Sequence, residues 1–423
     1  MYKRQTLDNG LRVVSQRIAG VRSIALGLWI HVGSRHEEAA QAGVSHLIEH
    51  LIFKGTENYS AWDVARIFDE MGGELNAGTS KDYTVVNARF LDDHLEEAFA
   101  VMADMVARPL MADLEAEREV VLEEVAMYED SPDELVHDHL AETVFWEHPL
   151  GRSPLGTTRA LRDADEAGVR AYHQEHYVNP SIVVAAAGHV DHERICALAG
   201  ELFDDRTAGM SPPVPDLYRP KERHDACFLL KETEQYHVCL GAPALTRTDK
   251  RRFALSVLDT LLGGSSSSRL FQEVREKRGL AYSVGSYTSL YADTGLVGVY
   301  FGSRPEGVGE VVGICLDQLE HLADTITDEE VARTREHIKG HIVLGMESPS
   351  NRMHRLGRSV LMDLKIRTLN GMLKQIDTVT RKQVVALAEE FYDPSRWSAV
   401  CIGPDPEPFK ETVGGFSWEE ASS

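Results

Sequence analysis

Two copies of one α+β unit, each a sheet covered by helices, are what this sequence predicts. Three observations point there. The length of 423 residues exceeds what one ordinary core organises and divides into two domains of about 200 residues each. Segments that read as strands are mixed with pairs of long helices, unlike the regular strand–helix alternation of a parallel sheet. The order of elements also recurs on either side of a proline-rich stretch, Ser211-Pro212-Pro213-Val214-Pro215, with Pro220 beyond it. Domains are therefore expected over 1–208 and 223–423, joined by a linker over 209–222.

Taken in order, Asn9-Gly10 marks a turn, after which 11–18 and 23–32 read as strands, the second with strong alternation. An apolar run opening at His46 and continuing to Phe53, with few breakers before Gly55, reads as a helix. An amphipathic helix over 60–71 ends at Gly72-Gly73. Strands follow at 74–78 and 82–91, then helices at 93–106, 113–129, 133–146 and 165–176. The apolar segment 180–189 is a buried strand leading into a helix near 193–203. Beyond the linker, 235–241 takes the place of 23–33, and the apolar helix 253–262 takes that of the His46 helix. Strands 282–289 and 295–301 then precede helix 308–322, as 74–91 precedes 93–106. The most direct echo sets His176-Tyr177-Val178-Asn179-Pro180-Ser181 against Phe391-Tyr392-Asp393-Pro394-Ser395, each entering an apolar strand.

A net charge of −23 disfavours nucleic acid or an anionic membrane as partner, since both repel such a field. The five cysteines are scattered and lack C-x-x-C spacing, which fits reduced core thiols better than a disulfide frame. The N-terminus lacks the apolar stretch of a signal peptide, and no apolar run approaches the ~20 residues of a membrane span. A soluble cytoplasmic protein is expected.

His46-Leu47-Ile48-Glu49-His50 carries the chemistry. On a helix, positions four apart share a face, so both imidazoles can address one metal ion, with Glu49 in reach of a water on that metal. Two neutral imidazoles, a carboxylate base and an open position are the needs of a zinc hydrolase. The third ligand is sought on helix 113–129, where Leu114, Glu117, Val121, Glu124 and Tyr128 recur at spacings of three and four. Two carboxylates on an apolar stripe are costly unless paired or metal-bound, which makes Glu124 a candidate ligand; pairing with an arginine is the competing explanation. The second repeat carries Ser256-Val257-Leu258-Asp259 on its matching helix, without histidine, so metal chemistry belongs to the first copy. His137 and His139, two apart, suit one metal poorly and are expected at the surface.

With these features the chain resembles the inverzincin zinc peptidases of the pitrilysin and mitochondrial processing peptidase group, especially their half-length bacterial members. The resemblance runs through Gly43-Val44-Ser45-His46-Leu47-Ile48-Glu49-His50, Gly72-Gly73-Glu74-Leu75-Asn76-Ala77 and Glu117-Arg118-Glu119-Val120-Val121-Leu122-Glu123-Glu124. It continues through Leu270-Phe271-Gln272-Glu273-Val274-Arg275-Glu276-Lys277-Arg278-Gly279-Leu280-Ala281-Tyr282. It implies a metalloendopeptidase acting on peptides or unfolded segments in an enclosed chamber, with one zinc per chain held by His46, His50 and Glu124. Glu49 would activate the water and Glu117 would orient a ligand from the second shell. Asn76 and Ala77 would lie on a strand that holds an extended peptide. Arg275 and Tyr282 would match the family's arginine–tyrosine pair, which reaches the substrate carbonyl; Arg275 could instead only complement its helix end. Glu134 and Asp138, one helical turn apart, would grip a basic residue near the scissile bond, or else form a solvated acidic face. Because full-length relatives carry two tandem halves, this chain is expected to form a homodimeric clam, each site taking Arg275 and Tyr282 from the partner. Other members of the fold are non-catalytic structural or peptide-binding subunits; these lose the ligands or the pair, and this chain has both.

Overall fold

The computed structural model describes residues 2–204, 209–220 and 224–420. It resolves into two compact units, each built on one six-stranded sheet. In the first, β1 (Tyr2–Thr6), β2 (Arg12–Arg17), β3 (Ser23–Ile30), β4 (Glu74–Thr79), β5 (Thr84–Leu91) and β6 (Ile182–Gly188) are ordered β1-β2-β6-β3-β5-β4. The pairs are antiparallel except β2 with β6. In the second, β7 (Asp225–Leu230), β8 (Tyr236–Ala244), β9 (Ala281–Leu290), β10 (Gly295–Ser303), β11 (Ser398–Gly403) and β12 (Ser417–Glu420) are ordered β12-β7-β11-β8-β10-β9. Here too the strand that closes the repeat, β11, lies parallel to β7 and antiparallel to β8. The two sheets share one plan and differ at the outermost strand, since β1 runs antiparallel to its neighbour and β12 parallel. The expected α+β duplication is present.

The middle strands are buried on both faces, which is why they read as near-continuous apolar runs. In the first unit Leu26, Leu28 and Ile30 of β3 pack with Phe99 and Met102 of helix Leu95–Ala107. Ala25 and Trp29, on the other face, join Val183 and Ala185 against helix Pro349–Leu361. That helix brings Met353, Leu356, Val360 and Leu361, each near fully buried and each worth about 1.5–3 kcal/mol on leaving water. A side chain at Gly27 would place its Cβ 2.4 Å from Met353 Sδ and 2.8 Å from Trp29 Nε1, so both side chains pack where only a glycine leaves them undisplaced. In the second unit Cys239, Val400 and Ile402 pack with Val136, Leu140 and Phe145 of helix Pro132–Phe145.

These two helices alter the expected domain boundaries. A contiguous division into 1–208 and 223–423 leaves Pro132–Phe145 with the first sheet and Pro349–Leu361 with the second. Instead, residues 127–151 belong to the second compact unit and 343–369 to the first. The physical reason is that each helix covers a sheet face of the unit that does not contain its chain neighbours. Of the expected linker, 211–220 has no helix or strand, and residues 221 and 222 lie outside the described residues.

Candidate metal centre

His46, Glu49 and His50 stand on the two-turn helix Val44–Leu51, anchored by buried Leu47, Ile48 and Leu51. The two rings lie with centroids 4.7 Å apart at 80°, as spacing by four dictates. Helix Leu114–Glu129 brings Glu124 to them: its Oε2 is 3.3 Å from His50 Nε2 and 3.7 Å from His46 Nε2. All three donor atoms lie within 4.8 Å of one another, the one group of three such side chains among the described residues. Bonds of about 2.1 Å to a tetrahedral zinc put neighbouring ligand atoms about 3.4 Å apart, so this donor set and spacing fit that ion. Burial lowers the His46 imidazole to about 4, with Glu124 opposing, so it is neutral as a ligand must be. The Glu124 side chain is 46% exposed, which leaves one side of the centre open.

Glu49 does not converge with the three. It hydrogen-bonds Thr79 on β4, while its Oε2 is buried with no hydrogen-bond partner. Burial raises its carboxyl above the ordinary range, and the Thr79 bonds oppose this. Glu117 is buried behind His50: its Oε2 lies 3.6 Å from His50 Nδ1, and its Oε1 accepts from Lys54 Nζ at 2.7 Å. Lys54 carries no signal in the sequence, although it sits one turn beyond His50. Glu115, Glu119 and Glu123 are exposed, as their position off the apolar stripe predicts.

Asn76 and Ala77 are on β4, which pairs only with β5 and so forms a sheet edge. Asn76 is exposed and its Oδ1 accepts from the Ala77 N–H at 2.8 Å. In the second unit Arg275 lies on a π-helical turn, Phe271–Glu276, with Gly279 beyond it at φ +64°. Its guanidinium sits 4.3 Å from the Tyr282 ring centroid and donates to the Tyr282 carbonyl at 3.0 Å. Tyr282 is 79% exposed, so its hydroxyl faces solvent. Glu134 is exposed and Asp138 half-buried, its Oδ2 having no hydrogen-bond partner. His137 departs from expectation. It is half-buried, with Nδ1 3.0 Å from Tyr287 Oη and its ring against Tyr300, because its helix packs onto β8 and β10. His139 is half-buried as well, 3.4 Å from Glu142.

Comparison with known proteins bears on what this arrangement does. Residues 12–158 match the family model described as insulinase, peptidase family M16, and residues 164–338 match that of the peptidase M16 inactive domain. The chain is 44% identical to a protein named an uncharacterized zinc protease from Streptomyces coelicolor, covering 95% of this chain and 89% of that one. It is 38% identical to one so named from Bacillus subtilis, over 93% and 96% of the two chains. The crystal structure of a protease from Helicobacter pylori superposes with a TM-score of 0.87 at 24% identity, covering 96% of this chain and 99% of that one. The structure of a peptidase M16 inactive domain from Pseudomonas fluorescens gives 0.87 at 21% identity over the whole of both chains.

Proposed function

Because the chain belongs to the M16 family of zinc metallopeptidases, we propose that it is a peptidase hydrolysing internal bonds of peptides or unfolded segments at the His46–His50–Glu124 centre. The observation that carries this reading is the convergence of two imidazoles and a carboxylate beside a buried carboxylate oxygen with no partner. One zinc per chain, held by those three residues, would polarise the scissile carbonyl and acidify a water. Glu49 takes a proton from the attacking water and returns it to the leaving amine; its partial burial makes it the stronger base for this task. Glu117 orients His50, and Lys54 in turn fixes Glu117. An extended substrate adds to the free edge of β4 along Asn76 and Ala77, using main-chain hydrogen bonds that tolerate varied sequence.

Arg275 and Tyr282 donate to the carbonyl oxygen as negative charge develops on it. The exposed hydroxyl of Tyr282 and the guanidinium stacked on its ring support this role. We assign the pair to the site of a second copy, in a homodimer that encloses the substrate. Glu134 and Asp138 supply a preference for a basic residue near the cleaved bond. None of the five cysteines is in a disulfide, which supports a reducing, cytoplasmic setting, and no helix among the described residues is long and apolar enough to cross a membrane.

The test is purified protein on a mixed peptide library, with cleavage sites mapped with and without chelator. Cleavage should cease on chelation and return with zinc, and Glu49→Gln should retain zinc while losing about 10²–10⁴-fold in turnover. Chelator-resistant cleavage, or full activity in Glu49→Gln, refutes the reading. Absence of arginine or lysine enrichment near the cut removes the Glu134–Asp138 assignment alone.

A further inference from the structure

The helix that carries His46 and His50 is eight residues long, and its N-cap, Gly43, cannot cap it. Gly43 is held at φ +97°, and a Cβ there would lie 2.7 Å from the Leu155 carbonyl oxygen and 3.0 Å from Gly156 Cα. No serine, threonine or aspartate fits, so the first-turn N–H groups need an acceptor from elsewhere. Glu37 provides it. Its Oε2 accepts from the Gly43 N–H and its Oε1 from the Ser45 N–H, each at 2.8 Å. One carboxylate thus takes the N–H groups of the N-cap and of the second helical residue, where a capping box would use two side chains on the N-cap and third-residue N–H groups. Burial raises its carboxyl to about 7, the Gly43 and Ser45 N–H bonds opposing, and above that pH its charge faces the positive end of the helix.

Everything around Glu37 fixes it in place. The side chain is buried, and Arg152 donates from Nη2 to its carbonyl oxygen. Ser45, whose N–H it holds, is tied by its hydroxyl to Tyr172 Oη at 3.0 Å. His46 is the next residue. A two-turn helix freed at its first turn frays, and the fraying displaces the first ligand.

We propose that Glu37 is a positioning residue for the metal centre: by capping the Val44–Leu51 helix from outside, it sets where His46 stands relative to His50 and Glu124. The proposal rests on the metal-binding reading given above and adds to it a residue that touches neither metal nor substrate. Glutamine in its place offers one oxygen and one N–H₂, which turns a donor toward a donor, so one bond is lost and a repulsion gained.

The experiment compares Glu37→Ala, Glu37→Gln and Glu37→Asp with the unaltered chain at pH 8. Zinc affinity is read by competition with a chromophoric chelator. Amide exchange of residues 43–47 is read on the zinc-free protein. Zinc affinity should fall at least about tenfold in Glu37→Ala and several-fold in Glu37→Gln, the scale of lost support around metal ligands. Protection of the Ser45 amide should fall in both, while the core strands β3 and β6 keep theirs. Should Glu37→Ala not fold, Glu37→Gln carries the same two measurements. Zinc affinity within twofold of the unaltered chain, or unchanged exchange at 43–47, overturns the proposal. So does a drop in thermal stability with zinc affinity unmoved, which would make Glu37 structural only. If the unaltered chain binds no zinc, the metal-binding reading fails by itself, and amide exchange still decides whether Glu37 caps the helix.

Discussion

Replacing Glu117 by glutamine tests how far the centre depends on the residue behind its ligand. Glu117 stands between an imidazole and an ammonium: His50 Nδ1 is 3.6 Å from one oxygen and Lys54 Nζ 2.7 Å from the other. Its side chain is only 7% exposed, so water does little to replace either contact. The substitution keeps the length and removes the charge. It leaves Lys54 facing a neutral amide beside the proposed metal centre, and it leaves His50 Nδ1 without the carboxylate charge 3.6 Å away. Loss of such support costs about 10–100-fold in metal affinity, which is about 1.4–2.7 kcal/mol. Chelator competition should therefore show zinc binding weakened by at least tenfold in Glu117→Gln. Adding saturating zinc should recover most of the turnover, because ligands and base remain. Zinc affinity within twofold of the unaltered chain would show that His50 is oriented by its helix alone, and the role given to Glu117 would fall.

Two more outcomes follow from the geometry. Asp259 occupies the place of Glu49 in the second unit, where burial pushes its carboxyl from 3.8 to about 6 and its Oδ1 has no hydrogen-bond partner. A carboxyl raised on folding destabilises increasingly as pH climbs from 3.8 to about 6 and fully above that, here by about 3 kcal/mol. Asp259→Asn should thus raise the melting temperature by several degrees at pH 8 and leave it unchanged near pH 3.5; equal shifts at both would refute the burial argument. For the homodimer, Glu49→Gln and a double variant Arg275→Ala, Tyr282→Phe are refolded separately and together. Sites shared between subunits return about a quarter of full activity on random pairing, whereas activity at the level of the parents means that the pair acts within its own chain.

What the sequence showed of this molecule depended on whether the signal was periodic. His46 and His50 share a helix face by spacing alone, and Glu124 stood out because it interrupts an apolar stripe; the structure brings all three together. β1 was missed because Tyr2-Lys3-Arg4-Gln5-Thr6 is a polar edge strand whose side chains are mostly exposed, so no alternation marks it. Helix Pro349–Leu361 was missed as well, and its apolar face would state only that it is covered, not by what. Glu37 and Lys54 act through backbone N–H groups and a single ion pair, contacts that leave no repeat in the chain. Arg275 and Tyr282 were found only through family resemblance, because an exposed ring under a guanidinium follows no spacing rule.

The duplication separates what the fold does from what its side chains do. Both units build the same six-strand order, and each sets an apolar helix beside the sheet, Val44–Leu51 in one and Arg252–Leu262 in the other. In the first that helix presents His46, Glu49 and His50; the matching positions of the second are Ser256, Asp259 and Thr260. The Thr260 hydroxyl is spent on the Ser256 carbonyl, 2.8 Å away within its own helix. Only the acid survives there, buried and with its Oδ1 unpartnered, where it costs stability and has no imidazole beside it with which to hold a metal. Two scaffolds of one plan therefore differ in chemistry by the two imidazoles that one helix carries and the matching helix lacks.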